Sequence, residues 1–568
     1  MLVALVGAVV LVYGRLFSAG FVEYDDDIHV YANQFLNPPS LQGLGHLWRE
    51  AYKGLYNPLA YTLWAAVAAF ARVPETTSSL GQPITLDPAW FHATSIGIHA
   101  ANTWLCFLLA LRLTRRQSAA LLAALVFAVH PLQVESVAWI SELRGLSSAC
   151  FALGALNVLV RSRRAGDGAT SPASLAVSAV LVTAAMLCKP AAVVLPLIAL
   201  LLDRVALGTS WRASSTTALT WALCVLPVAL VTSSVQRIYP EGASLWWQRP
   251  FVAGDALAFY LFKTALPVDL GVEYGRTPHA ALADGWGYLT WTVPAALVAL
   301  CFVRRQRRPL AWLGLLLFGA FALPTLGLVP FSFQGHSTVA DRYAYLPLFG
   351  VGLLVADTVA AFGSKLAWRA AVALVLLLAV RTFDQTSHWL DNLSFLHHTL
   401  EVNPEVPFAQ NNLANILFKQ KRFDEAIGHF EKALEHDPGH AIAQNNLGLA
   451  LVQQGRPNEA EPHFRKAVEL DPKYYKAHES LGALYLRSNR LADAIKSLQA
   501  AIAVAPGEAK AMNDLGIAFM RSEQPNEGVD AFQRAVALEP GNAQYRKNLG
   551  TALLQLGRSE EAAQYLGR

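Results

Sequence analysis

The stretch AQNNLGLALVQQGRPNEAEPHFRKAVELDP, residues 443–472, recurs with variation through the last third of the chain. It ends on one of five prolines spaced 34 residues apart, which are Pro404, Pro438, Pro472, Pro506 and Pro540. Small and apolar residues repeat at the same offsets: Leu413, Ala426, Phe430 and Ala433 in one unit become Leu447, Ala460, Phe464 and Ala467 in the next. A strict period of this length predicts a stack of similar supersecondary units.

This pattern resembles the tetratricopeptide repeat, a pair of helices that approach closely through small residues, with a proline ending the second helix. The resemblance implies an α-solenoid of about five units over 404–568. The position before the repeated leucine is Asn412, Asn446, Ser480, Asp514 and Asn548. Because this series is similar to the asparagine ladder of O-GlcNAc transferase, Asn412, Asn446 and Asn548 are expected to bind an acceptor peptide by its backbone. The alternative is local helix capping.

The residues before the repeats are dominated by apolar runs. Hydrophobic residues make up 54% of the chain and charged ones 15%, and the mean hydropathy is +0.33, too apolar for a purely soluble protein. The candidate spans, several shorter than the ~20 residues a perpendicular helix needs, are 1–22, 90–111, 118–133, 143–160, 173–188, 191–203, 213–233, 284–303, 310–330, 344–361 and 366–383. The predicted fold is all-α: a polytopic membrane domain over 1–384, a connecting helix over 385–403, and the repeats.

Several function classes lack their signatures. The net charge of +4 is small for 568 residues and argues against a nucleic-acid partner. The five cysteines have no zinc or disulfide spacing. A phosphate-binding loop, a dinucleotide fingerprint and a metalloprotease helix are all missing from the sequence. An ATP-driven pump and a zinc protease are therefore disfavoured.

Arginine clusters orient the predicted spans. Arg112, Arg115 and Arg116, then Arg161, Arg163 and Arg164, then Arg304, Arg305, Arg307 and Arg308 fall on one side if the spans alternate. The positive-inside rule makes that side cytoplasmic. The first loop and the repeat array are then expected on the extracytoplasmic face, the periplasmic one if the protein lies in a bacterial inner membrane.

The first of these external loops carries three consecutive carboxylates, Asp25, Asp26 and Asp27. Like charges at the edge of an apolar region raise the pKa of at least one carboxyl unless a cation, a donor or a metal compensates. Such a group suits a general base that takes the proton of an attacking hydroxyl. The alternative is an acidic cap for the helix that follows.

Five stretches together resemble one family. They are YDDD at 24–27, HPLQVESVAWISE at 130–142, CKPAAVVLPLIALLLDR at 188–204, YLFKTALPVDL at 260–270 and ADRYAYLPLFG at 340–350. In this order, and followed by the repeats, they are similar to the transmembrane and tetratricopeptide repeat-containing proteins. Members of that family in the endoplasmic reticulum are O-mannosyltransferases of the GT-C superfamily that use a dolichyl-phosphate-linked mannose, and many bacterial homologues have no assigned function.

The resemblance implies a polyprenyl-phosphate-linked sugar donor and a catalytic acid in the first external loop, carried over as Asp25 or Asp26. The leaving phosphate needs a cation, and the candidates at the external membrane edge are Arg342, Lys189, Lys263 and Arg144. Snorkelling to lipid headgroups is the alternative role for such residues. Asp341 is expected to orient the Arg342 guanidinium.

Two further groups stay open at this point. His130 and Glu135 are expected either to contact the sugar or a metal, or to hold their loop as a hydrogen-bonded pair. His92 and His99, seven residues apart, favour buried contacts between helices. The aspartate run is compatible with a divalent metal ion without requiring one, so no cofactor is certain.

These observations predict a membrane glycosyltransferase that moves a sugar, mannose or another hexose, to serine or threonine hydroxyls of extracytoplasmic proteins with inversion, the repeats binding the acceptor. One alternative is a non-catalytic scaffold for envelope or secretion assembly. Another is a transferase acting on lipid-linked or surface polysaccharide.

Overall fold

The computed structural model describes residues 1–78, 82–165, 170–235 and 244–566. The chain forms two compact units, Met1–Asn403 and Pro404–Arg568. Residues 385–403, predicted as a connecting helix, are helical over Thr386–Trp389 and Asn392–Val402 and belong to the first unit.

The first unit is helical apart from a two-stranded antiparallel ribbon, β1 (Arg72–Thr77) and β2 (Pro83–Leu86), the strands seen in the described ranges. Its helices are α1 (Leu2–Tyr13), α2 (Leu41–Arg49), α3 (Pro58–Phe70), α4 (Pro88–Thr114), α5 (Gln117–Ala128), α6 (Val134–Ala138), α7 (Leu143–Ala165), α8 (Pro172–Cys188), α9 (Leu195–Leu201), α10 (Trp211–Val235), α11 (Arg249–Ala265), α12 (Pro278–Ala283), α13 (Thr292–Arg304), α14 (Pro309–Ala322), α15 (Pro347–Phe362), α16 (Lys365–Gln385) and α17 (Asn392–Val402). Many begin at proline, which has no N–H to leave unpaired in the first turn.

Six helical segments of the described chain are long and apolar enough to cross a membrane: Pro88–Thr114, Ile140–Ala165, Pro190–Leu207, Trp211–Val235, Trp286–Arg304 and Lys365–Trp389. The pair Gln117–Ala128 and Pro131–Ala138 passes the same test together but bends by 56°. The other predicted spans are shorter apolar helices, Leu2–Ser18, Pro172–Cys188, Pro309–Thr325 and Pro347–Phe362. The protein is an integral membrane protein, but eleven crossings are not confirmed.

Close helix contacts organise the centre of this unit. α15 packs against both α14 and α5. At Gly350 an added Cβ would lie 2.3 Å from the Gly314 carbonyl oxygen, and at Gly352 it would lie 2.5 Å from the Ala123 oxygen. Glycine is therefore required where these backbones meet, as expected for helices that pack within a bilayer.

The described part of the second unit is a run of paired helices: α18 (Pro407–Lys419), α19 (Phe423–His436), α20 (Ala441–Gln453), α21 (Pro457–Leu470), α22 (Tyr475–Arg487), α23 (Leu491–Val504), α24 (Ala509–Arg521), α25 (Pro525–Leu538), α26 (Ala543–Gln555) and α27 (Ser559–Leu566). An added Cβ at Gly448 would come within 2.6 Å of the Phe464 ring, and Gly516 meets Phe532 in the same way. The predicted helix pairs are confirmed.

Candidate active site

The acidic loop is held by Asp26. Its carboxylate accepts from the Val22 amide (3.1 Å), the Ser141 amide (2.9 Å) and the Ser141 hydroxyl (2.6 Å), and the residue is 1% exposed. Ser141 lies in the turn Ile140–Glu142 between α6 and α7. Asp26 therefore joins the loop of three aspartates to the HPLQVESVAWISE segment at 130–142.

Asp25 differs from its neighbour in having a carboxylate to which no group in the described ranges donates a hydrogen bond. Its side chain is half-buried. Burial raises the pKa of Asp25 to about 6, while the guanidinium groups of Arg144 and Arg342 oppose that rise. Burial also raises the pKa of Asp26 to about 7 against its three hydrogen bonds. Of the two predicted acids, Asp25 is thus the one placed to accept a proton near neutral pH.

Arg342 lies in the 3-10 turn Asp341–Ala344 and is 6% exposed. Its side chain forms an ion pair with Glu135 of α6, which also accepts from the Arg342 amide at 2.6 Å. The guanidinium lies 4.2 Å from the centre of the Phe333 ring. Because the charge is buried, its carboxylate partner is needed to offset the loss of water.

Two predictions about neighbouring pairs are wrong. Asp341 does not orient Arg342: it accepts a hydrogen bond from the Tyr274 hydroxyl (2.7 Å), since adjacent side chains of the turn diverge. His130 does not pair with Glu135. Its Nε2 contacts the Thr264 carbonyl oxygen (3.1 Å) and its Nδ1 accepts from the Leu132 amide (3.3 Å), because a 3-10 turn at Pro131–Gln133 separates the two residues.

Glu142, which the sequence did not single out, joins two of the predicted cations. Its side chain accepts from Lys189 (2.7 Å) and from Arg144 (3.2 Å), and the residue is 1% exposed. At Gly145 an added Cβ would lie 2.3 Å from Glu142 Oε2, so the turn leaves room for this carboxylate. The signal available beforehand was its position at the end of the HPLQVESVAWISE stretch, two residues before Arg144, but spacing alone did not reveal the contacts.

A cavity of about 60 Å³ opens beside these charges. Glu142, Lys189, Arg342 and Tyr343 line its polar end. Its apolar wall includes Ala149, Ala152, Leu195, Phe321 and Leu346. Such a lining suits a ligand that has an anionic group next to a hydrocarbon chain.

The remaining predicted residues of the first unit have structural partners. Lys263 donates to the carbonyl oxygens of Val268 (2.7 Å) and Asp269 (2.9 Å), which places its ammonium on the turn after α11. His92 Nε2 contacts the Gly20 oxygen (3.2 Å), and His99 lies between the Tyr345 hydroxyl (2.8 Å) and the Ala128 oxygen (3.0 Å). These histidines are buried contacts between elements. Among the described residues, no group of three or more His, Cys, Asp or Glu side chains is arranged to hold a metal ion.

The asparagines of the second unit contact each other between repeats. Asn446 donates to Asn415 (2.9 Å), and Asn548 donates to Asn513 (2.7 Å). Asn412 accepts from Asn411 (3.1 Å). Asn412, Asn446 and Asn548 are half-buried, and Asn411 and Asn445, which precede the first two, are buried, so both members of these two doublets belong to the amide series. The doublet Asn-Asn at 411–412 and 445–446 was the signal for the second member.

Comparison with known proteins adds two findings. Tetratricopeptide repeat family models match residues 405–473, 445–509, 479–522 and 513–568. The chain is 25% identical over 489 residues to human protein O-mannosyl-transferase TMTC1, covering 76% of this chain and 54% of the relative, and 24% identical over 471 residues to human protein O-mannosyl-transferase TMTC3, covering 76% and 50%. The predicted resemblance to the transmembrane and tetratricopeptide repeat-containing proteins is confirmed. It spans about half the length of the curated relatives it matches.

One solved structure, MamA 41-end from Desulfovibrio magneticus RS-1, is 26% identical and covers 28% of this chain and 91% of its own, with a TM-score of 0.27. A likeness this partial indicates no function.

Proposed function

We propose that this chain is a GT-C-type membrane glycosyltransferase that transfers a sugar, mannose or another hexose, from a polyprenyl phosphate to serine or threonine hydroxyls. The observation that carries the proposal is the free, half-buried carboxylate of Asp25 beside the guanidinium groups of Arg144 and Arg342. The names of the TMTC relatives support the reaction class.

Asp25 acts as the general base. It takes the proton of the acceptor hydroxyl as the oxygen bonds to the anomeric carbon, while the bond from that carbon to the phosphate oxygen breaks and its electron pair stays on the phosphate. Attack from the face opposite the leaving group inverts the anomeric centre. Asp26 is unsuited to this role because Val22 and Ser141 already occupy its oxygens.

Arg342 and Lys189 bind the leaving phosphate. With Arg144 they form a buried cluster of three cations that also contains the carboxylates of Glu135, Glu142 and Asp25. Arg342 and Lys189 both line the cavity, whose apolar wall would accept the first isoprene units. Preorganised cations at a developing charge are an effective source of catalysis.

The repeat array binds the acceptor protein through the amides at Asn412, Asn446 and Asn548. The positive-inside pattern supports a periplasmic position for both the array and the acidic loop, with the spans in a bacterial inner membrane.

The test replaces Asp25 and Asp26 separately with asparagine and follows the mass of acceptor proteins in membranes supplied with polyprenyl-phosphate mannose. We expect Asp25→Asn to reduce transfer by about 10²- to 10⁴-fold, the usual contribution of a general base. Asp26→Asn is expected to retain more transfer and to lose thermal stability, because an amide cannot accept from both Val22 and Ser141. Wild-type transfer by Asp25→Asn would refute the role of Asp25 as general base. If proteins bound to the repeats carry no sugar, the non-catalytic scaffold is favoured instead.

A further inference from the structure

The start of α17 and the residues just before it contact the segment leading into the acidic loop at three points. The Gly20 amide donates to the Leu390 carbonyl oxygen (2.9 Å) just before this helix. The Glu23 amide donates to Asn392 Oδ1 (3.1 Å), and Asn392 Nδ2 donates back to Glu23 Oε2 (2.8 Å). The Tyr24 ring lies between Trp139 and Phe395, at 5.0 and 6.0 Å. The start of α17 therefore fixes the backbone that leads to Asp25.

The reciprocal contact with Asn392 is a buried one. Glu23 is 5% exposed and Asn392 is also 5% exposed. The Tyr31 hydroxyl donates to the other Glu23 oxygen (3.2 Å). A paired set of hydrogen bonds away from water holds its geometry more closely than exposed contacts do.

The far end of α17 contacts the segment that supports Arg342. His398 Nε2 lies 2.7 Å from the Leu270 carbonyl oxygen, and an added Cβ at Gly271 would lie 3.1 Å from Val402. The Gly271 amide donates to the Tyr274 hydroxyl (3.0 Å), which in turn donates to Asp341, the neighbour of Arg342. One helix thus contacts the segment before the proposed base and, through Tyr274 and Asp341, the turn that carries the proposed phosphate-binding arginine.

We propose that α17 is a strut that sets the spacing between Asp25 and Arg342, and that Asn392 is a positioning residue for the acidic loop. This inference rests on the proposed function. A displacement of the base by about 1 Å is enough to reduce a rate by about 10²-fold without removing any reacting group.

The experiment exchanges the carboxylate and the amide of the Glu23–Asn392 pair. Asn392→Asp places a second carboxylate against Glu23, so the loop is pushed away and the added negative charge raises the pKa of Asp25. We expect a maximal rate lower by about 10- to 100-fold, a donor KM within about threefold of wild type because Arg342 and Lys189 are intact, and an acid limb at higher pH. Combining it with Glu23→Gln restores the hydrogen bond in the reverse direction, and this exchange is expected to recover the rate and the pH profile.

Ser394→Ala is the matched control, because this residue lies on the same helix and contacts Asp391 rather than the acidic loop. It should leave the rate unchanged. Wild-type kinetics in Asn392→Asp would overturn the proposal that α17 is a strut. So would an exchange variant that accumulates normally in membranes but stays inactive. If Asn392→Asp does not accumulate in membranes, the exchange variant decides alone. Failure of the proposed function is distinguishable, since it requires transfer to survive in Asp25→Asn.

Discussion

The two units of this protein place their charges in opposite ways. In the repeat array, exposed ion pairs recur three residues apart at the start of the second helices: Arg422–Glu425, Arg456–Glu459, Arg490–Asp493 and Arg558–Glu561. In the membrane body, the pairs of Arg342 with Glu135, Lys189 with Glu142 and Arg163 with Asp203 have carboxylates that are almost fully buried. The first set is periodic and local, whereas the second joins residues distant in the chain.

This difference separates surface charges that keep the fold soluble from buried charges that have a functional role. Exposed pairs in water contribute little to stability and are screened by salt. Buried pairs lose hydration that their attraction only partly replaces, so apolar residues would often serve stability as well. The cations Lys189 and Arg342 both line one cavity, and this placement favours a role in binding an anion.

The largest expected effect tests that contrast directly. Arg342→Ala leaves the buried Glu135 carboxylate without its counter-ion, which should cost about 3–5 kcal/mol of stability and abolish donor binding. Arg163→Ala is the control, because it breaks a buried pair with Asp203 that lies among the predicted cytoplasmic arginines. The thermal unfolding temperature in detergent should decrease in both variants. Binding of polyprenyl phosphate should be lost only in Arg342→Ala. Normal donor binding by a folded Arg342→Ala protein would contradict a phosphate role.

The pH dependence of transfer is the next largest effect. Asp25 must be ionised to take a proton, and its pKa is raised to about 6 by burial. The rate should therefore decrease about tenfold for each pH unit below that value. Arg144→Gln removes the cation that opposes this rise most strongly, so the acid limb should move to higher pH. Initial rates between pH 4.5 and 8 check this, and an unmoved limb would show that Asp25 is not the group being titrated.

A smaller effect is expected from the array. Asn446→Ala removes an amide that contacts Asn415 and, in the proposed function, the acceptor backbone. We expect the KM for acceptor protein to increase by about three- to tenfold with the donor KM unchanged, the size of one or two hydrogen bonds. The exposed Asn458 at the start of α21 provides the comparison, since Asn458→Ala should leave both constants unaltered. Equal behaviour of the two variants would favour a purely structural ladder.

The smallest effect concerns the exposed pairs. Arg456→Ala should leave the Tm of the array and its dependence on salt nearly unchanged, because this guanidinium pairs with Glu459 in water. The fourth unit already has Gln524 at the equivalent position, so the fold accommodates the loss. A large decrease in Tm on differential scanning calorimetry would show that the two classes of ion pair are less distinct than their exposure indicates.

Many residues of the candidate site could be predicted from the sequence, but their hydrogen-bond and ion-pair partners could not. The acids at 25 and 26 and the cations Arg144, Lys189 and Arg342 were recognisable because ionisable residues next to apolar runs are rare. Their partners were not. Asp26 binds Ser141, which lies 115 residues away, and Arg342 binds Glu135 at a separation of 207 residues. Neither contact produces a local pattern, and the nearest carboxylate in sequence, Asp341, was the wrong choice.

The sequence by itself determined the two-part architecture and the repeat register, because both depend on local composition and on a period that neighbouring residues express. It also located the acidic loop. Only the tertiary structure decided which aspartate has a free carboxylate, which acid pairs with Arg342, and that Asn392 holds the loop. The physical reason is that a buried polar group pairs with whatever partner helix packing brings within hydrogen-bond distance, and that distance is independent of separation along the chain.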